Sequence, residues 1–329
     1  MEKLLSASWI FLKENSWRGD KLSTILLTGG RGFIGTNLTS ELHSRGHDVW
    51  TSDVLQGEDP QHFKADVYSY QQMEAIFRQR KFDYVYHLAA EYGRWNGEDH
   101  YDNLWRTNVI GTKNMLRLQE QFRFRMIFFS SAEVYGDYDG VMSEDVMERI
   151  PIKQMNDYAI GKWAGELQCL NHAAMFGTEI VRVRPVGCYG PHEYYSRYRG
   201  VIPIFVYHAL KGKSLTVYRG HQRIFDYVED TCRTFANIVE NFLPGEVYNV
   251  GGREEWAIGI EELAKIILDA TGASPSLAEH RDEEAFTTRV KLVDFTKARR
   301  DLKHDPKVDI HEGIRRYVAW ARQVYGEGA

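Results

Sequence analysis

Hydrophobic and polar positions alternate in blocks along the first 185 residues. Short apolar runs stand at "STILLTG" (23–29), "DVWTSD" (48–53), "HFKADV" (62–67), "FDYVYHLAA" (82–90), "RMIFFSS" (125–131) and "EIVRVRP" (179–185). They read as six strands. Between them, apolar residues recur three and four apart in "IGTNLTSELHSRG" (34–46), "YQQMEAIFRQR" (70–80), the stretch from Tyr101 to Gln121, and "DYAIGKWAGELQCLNHAAMFG" (157–177). This is the spacing of helices with one buried face. Continuous apolar strands joined by helices predict an α/β fold, a doubly wound parallel sheet covered on both faces.

After Pro185 the rhythm breaks. "GCYGPHEYYSRYRG" (187–200) is a loop rich in Gly, Tyr and Arg, too long for a simple connector. The rest mixes short helices and strands and ends in "IHEGIRRYVAWARQVY" (310–325). The expected organisation is an N-terminal extension (1–22), a nucleotide-binding domain (23–186, with a return segment about 224–250), and a smaller C-terminal α/β cap (187–223 and 251–329). In the extension, Leu5, Trp9 and Leu12 recur at i, i+4 and i+7, which predicts an amphipathic helix rather than a targeting signal.

Bulk properties narrow the partners. The net charge of −5 argues against non-specific nucleic-acid binding. No run approaches the ~18 apolar residues of a spanning helix, so no membrane partner is expected. Cys169, Cys188 and Cys232 are widely spaced with no CxxC, which fits a reducing, cytoplasmic setting and no metal site.

Chemistry enters at "TGGRGFIG" (28–35), where the first strand meets the first helix. Gly29, Gly32 and Gly35 fall in GxxGxxG spacing. They allow a tight turn, close approach of backbone to a pyrophosphate, and close packing of helix on sheet. Asp53 ends the second strand 18 residues after Gly35. A carboxylate there accepts ribose hydroxyls and repels a 2′-phosphate, so the expected cofactor is NAD rather than NADP. Asp66, ending the third strand, either reaches an adenine edge or caps a turn.

Tyr158 and Lys162 are i and i+4 on one helix and share a face. An ammonium beside a phenol stabilises the phenolate. With the hydroxyl of Ser131 at the end of the fifth strand, the three form a relay around a substrate alcohol.

With these pieces in order, "TGGRGFIG", "HLAA" (87–90), "TNVIGT" (107–112), "SSAEVYG" (130–136), "YAIGK" (158–162) and "RPVGCYGP" (184–191) resemble the extended short-chain dehydrogenase/reductase family, in its nucleotide-sugar epimerase/dehydratase branch. The resemblance covers the chain from residue 23 on. It implies a Rossmann fold and a tightly held NAD, lined by Gly29, Gly32, Phe33, Ile34, Gly35, Asp53, Asp66, Leu88, Ala89, Ala90, Asn108 and Ser130 as well as Tyr158 and Lys162. It implies a nucleoside-diphosphate sugar oxidised at C4, and a homodimer through the helices at 101–121 and 157–177. By the same resemblance Arg223 holds the diphosphate, together with Arg281 or Arg289. Glu91 and Arg94, in "EYGRWNGED" (91–99), fall where the sugar lies and either touch it or pair with each other. The "EYYSRYR" insertion (193–199) reshapes the sugar pocket or supplies an arginine to an acidic sugar.

Glu133 then decides the reaction. A 4-epimerase needs no base at C5, whereas a 4,6-dehydratase needs a carboxylate to take the C5 proton, and a decarboxylase releases CO2 instead. Dehydratases and decarboxylases of the family carry glutamate two residues after the strand-end hydroxyl, as in Ser131-x-Glu133. The leading expectation is therefore a nucleotide-sugar 4,6-dehydratase, with a 4-epimerase and then a decarboxylase behind it. A non-catalytic NAD-binding regulatory module is the reading outside enzymes, opposed by the intact Ser131, Tyr158 and Lys162. Two departures stand out. Ala132 replaces the acidic residue of one dehydratase group, and Gly187 replaces the asparagine that touches substrate.

Overall fold

A computed structural model describes residues 22–282 and 284–326; the helix expected in the extension lies outside these residues. Seven parallel strands form one sheet. They are β1 (Thr24–Thr28), β2 (Asp48–Asp53), β3 (His62–Lys64), β4 (Tyr84–His87), β5 (Arg125–Phe129), and two more at Ile180–Pro185 and Val247–Val250. Their spatial order is Val247–Val250, Ile180–Pro185, β5, β4, β1, β2, β3. The order reverses between β1 and β4, the point at which doubly wound sheets form a binding crevice beyond the carboxyl ends of their strands.

Alternating side chains explain why the strands read as continuous apolar runs. Ile25, Leu27, Tyr86, Ile127, Phe129, Val181 and Val183 pack on one face against α1 (Phe33–Ser44) and the Val228–Glu240 helix. Leu26, Val85, Met126, Phe128 and Ile180 pack on the other against α2 (Tyr70–Gln79) and the Thr112–Phe122 helix. Both faces are buried, as the doubly wound pattern predicts.

A second apolar cluster joins the Val201–Leu210, Ile260–Thr271 and Ile310–Tyr325 helices through Phe205, Leu263, Ile267, Ile314 and Tyr317. Among the described residues no helix is long and apolar enough to cross a membrane.

The helix expected over 101–121 is not uniform. A π-helical segment, Trp105–Gly111, separates Tyr101–Leu104 from Thr112–Phe122, and a further helix spans Arg94–Asp99. The wider turn suits two constraints. Gly111 lies so close to Val67 that a Cβ would come within 2.7 Å, and Asn108 exchanges hydrogen bonds with the backbone of Glu91.

Candidate active site

The glycine turn is built for close approach. Gly29 sits at φ +70°, and a Cβ there would lie 2.8 Å from the backbone of Ala89. The amides of Gly29 and Gly30 donate to Ser52 O at 2.8 and 3.2 Å, which ties the turn to β2. On Gly35 a Cβ would fall 2.3 Å from Gly29 O, so only glycine lets α1 pack on the turn. A Cβ on Gly32 would meet nothing nearer than Gly29 O at 3.2 Å. The amides of Phe33, Ile34 and Gly35 open α1 and have no intrahelical acceptor. This cradle fits a pyrophosphate.

Asp53 flanks it. Its oxygens accept from the amides of Arg31 and Leu55, both at 3.1 Å, which fixes the carboxylate beside the turn. Asp66 caps its own turn, accepting from Tyr68 N at 2.9 Å. On the opposite wall, Leu88 N donates to Thr28 O and Ala89 N to Thr28 Oγ1, so Leu88, Ala89 and Ala90 follow β4 directly over the glycines. The glycine turn, Asp53 and residues 88–90 stand together at the carboxyl ends of β1, β2 and β4.

The relay lies at the end of β5. Ser131 follows β5 and accepts from Glu133 N at 3.2 Å as the N-cap of the Ala132–Tyr135 turn. Tyr158 is buried, and Ser131 acts on its phenol. Burial and the neighbouring Tyr92 raise the Tyr158 phenol, and Ser131 opposes them. Lys162, one turn on, donates from Nζ to Phe129 O at 2.7 Å. Burial brings it down to about 7, against the attraction of Glu166. Ser130 turns away from the crevice, and its hydroxyl donates to Glu166 Oε1 at 2.5 Å.

Glu133 has a partner that sequence reasoning missed. Lys291 Nζ approaches Glu133 Oε1 to 2.5 Å. Burial would raise the carboxyl, but Lys291, Arg94 and Arg223 outweigh it and hold Glu133 below the usual carboxylate range. Lys291 has no motif around it. The available signal is a cation inside the apolar run "VKLV" (290–293), where burial requires a partner.

The segment carrying Lys291 straps the site. Arg94 pairs with Glu284 at 2.6 Å and not with Glu91, whose carboxylate accepts from Asn96 and Asn103. Trp95 meets the Phe286 ring edge-on at 5.0 Å, and Asn156 donates to Phe286 O. Arg223 donates to Gln222 O, Thr287 Oγ1, Thr288 O and Arg289 O. Its guanidinium is bonded to the strap, and the charges of Glu133 and Glu284 also act on it. Arg281 and Arg289 are exposed at the two ends of the strap.

Gly187 is explained locally. At φ +58° its missing Cβ would lie 2.1 Å from Ile224 O, and Gly187 O accepts from Asp226 N. The backbone here has no room for an asparagine.

Residues 25–251 match the NAD dependent epimerase/dehydratase family. The chain is 31% identical to a UDP-N-acetyl-alpha-D-glucosaminuronate decarboxylase of Bacillus cytotoxicus, over 91% of this chain and 98% of that protein. It is 28% identical to a dTDP-glucose 4,6-dehydratase of Streptomyces niveus, over 91% and 92%. The structure of a UDP-glucose 4-epimerase with UDP-glucose from Thermotoga maritima superposes with a TM-score of 0.83 at 27% identity, covering 92% of this chain and 99% of that one. Family match, parallel sheet and glycine cradle agree, and the chain belongs to the NAD-dependent epimerase/dehydratase family of enzymes.

Proposed function

We propose that the protein is a nucleotide-sugar 4,6-dehydratase in which Glu133 and Lys291 act as a base–acid pair. The observation that carries this reading is the 2.5 Å contact between them beside Ser131 and Tyr158. A plain 4-epimerase has no use for it.

Tyr158, as phenolate, takes the proton of the sugar's C4 hydroxyl while Ser131 orients that hydroxyl, and Lys162 stabilises the negative oxygen. NAD supplies the acceptor, and later the donor, of the hydride. The C4 ketone makes C5–H acidic. Glu133, held ionised by its cations, takes that proton. The C6–O bond breaks, and Lys291 gives the departing hydroxide a proton, so that water leaves. Glu133, its proton exchanged with solvent, then reprotonates C5 as C6 takes back the hydride. Ala132 cannot serve as the acid, and Lys291 is the donor already in contact with the base.

Arg223, with Arg281 or Arg289, is the proposed grip on the diphosphate, and the strap carbonyls give way to phosphate oxygens when substrate enters. The cap (187–223 and 251–329) would hold the sugar over the nucleotide-binding half. The Asp157–Phe176 helix and the π-helical segment expose Trp105, Ile110, Ile160, Leu167 and Leu170. That apolar surface supports a homodimer through these helices. The free thiols of Cys169, Cys188 and Cys232 suit a cytoplasmic enzyme.

A uronate decarboxylase is the second reading. Lys291, Arg94 and Arg223 around Glu133 would also receive a sugar carboxylate, and the Bacillus cytotoxicus relative is named for that reaction. Mass spectrometry after incubation with nucleoside-diphosphate hexoses and uronates in heavy water separates the two. Dehydration gives a product lighter by one water and carrying one deuterium. Loss of CO2 from a uronate, or unchanged mass with a new chromatographic peak, would refute it.

A further inference from the structure

Glu193 is a buried carboxyl that the scheme above does not use. It is 3% exposed, and among the described residues its Oε2 has no hydrogen-bond partner. Its backbone is fixed on both sides, with N donating to Gly190 O at 3.1 Å and O accepting from Tyr317 Oη at 2.6 Å. The carboxyl is thus held in place without a local bond to account for its burial. Leaving such a group unsatisfied is costly, and folded proteins rarely tolerate that without a use for the group.

Its surroundings identify the use. Glu193 acts on Tyr92, whose ring meets the Tyr158 ring edge-on at 5.5 Å. Arg199, from the same loop, lies over the Tyr92 ring at 5.4 Å. Arg199 pulls on Glu193 without forming an ion pair among the described residues. Glu193, Tyr92 and Arg199 therefore stand together one ring away from the phenol proposed to work on the sugar. Burial pushes Glu193 up to about 8, against Arg199, so at neutral pH it is largely the neutral acid. A neutral carboxyl both donates and accepts, which suits a C–OH group and suits neither a phosphate nor a metal cation.

We propose that Glu193 is a specificity residue of this site, its carboxyl hydrogen-bonding a hydroxyl of the substrate's sugar. This rests on the nucleotide-sugar reading above. The motif-poor "HEYYSRYR" stretch (192–199) is then a sugar-reading loop, with Glu193 as its polar contact.

The test is titration calorimetry on the full NAD-loaded chain, with UDP alone and with UDP-glucose and UDP-glucuronate, for the parent, Glu193→Ala and Glu193→Gln. The expected result has three parts. UDP affinity is the same in all three proteins. The extra affinity contributed by the sugar falls about tenfold or more in Glu193→Ala, as a lost bond to a buried polar group predicts. Glu193→Gln recovers part of it. Melting of Glu193→Ala should occur at the parent temperature or above, since a buried orphan has been removed. Unchanged sugar affinity in Glu193→Ala would overturn the inference, as would a lower melting temperature with no sugar-specific loss. If the parent gains nothing from either sugar over UDP, the nucleotide-sugar reading fails and this inference falls with it.

Discussion

Lys291 Nζ touches Glu133 Oε1 at 2.5 Å across 158 positions of sequence. The contact carries a charge on each side. Lys291 is itself lowered by burial and by the neighbouring cations Arg223 and Arg94, and Glu133 opposes this only in part. Replacing Lys291 with Met should leave C4 oxidation intact and slow the later steps about a hundredfold, the usual scale of one general acid or base. Reduced nicotinamide should then accumulate on the enzyme and show in near-ultraviolet absorbance. Parent-like turnover in Lys291→Met would remove the lysine from the reaction.

The relay predicts a pH profile. A phenolate base makes turnover rise with pH until Tyr158 has lost its proton. Burial and Tyr92 raise that phenol, while Ser131 and Arg199 lower it; an ammonium brought beside it by substrate would lower it further. Lys162→Met removes the positive charge, so the rising limb should move to higher pH by about one unit or more. Tyr158→Phe should lose roughly a thousandfold in kcat with its NAD content unchanged. A limb that stays in place in Lys162→Met would mean that Lys162 only holds Phe129 O.

The sheet and the glycine cradle were legible because their signals are local. Continuous apolar runs mark the strands, spacing of three and four marks the helices, and a strand-to-helix turn needs glycine at set positions. Ser131, Tyr158 and Glu133 were legible because each sits at the end of such an element. Lys291, Glu284 and Glu193 were not, since each reaches the site through loop geometry with no periodicity of its own. The π-helical turn was hidden for a similar reason, because it answers to Val67 and Glu91, which lie outside the segment.

Gly187 yields a test of backbone demand. Its φ of +58° and the 2.1 Å approach of a Cβ to Ile224 O leave an asparagine nowhere to go. Gly187→Asn should destabilise by at least about 1–3 kcal/mol, the cost of a strained φ alone. That corresponds to about 2–4 °C in Tm for each kcal/mol. Activity should fall with the folded fraction. A variant as stable as the parent and more active would show that the loop readily re-forms around a substrate-touching asparagine.

Glu166 joins the relay helix to the strand ends. Arg184 grips its two oxygens from Nε and Nη2, both at 2.8 Å, while Arg182 reaches Oε2 at 3.3 Å. Arg184 goes on to Tyr135 Oη at 2.8 Å, and Tyr135 donates to Asn249 Oδ1 at 2.9 Å. Burial would raise Glu166, but the two arginines and Ser130 outweigh it and hold the carboxyl below its ordinary value. A depressed carboxyl stabilises the fold at pH above its unfolded pKa of ~4.3, and that contribution fades as pH falls through the folded value. Glu166→Gln leaves two buried guanidinium groups without their anion, so it should lose about 3–5 kcal/mol at neutral pH. Its stability should also fall less steeply than the parent's once pH drops below ~4.3. Urea unfolding across pH checks both. An acid limb identical in the two proteins would show that Glu166 does not titrate as a paired carboxylate. Equal stability at neutral pH would show that the guanidinium groups find other partners.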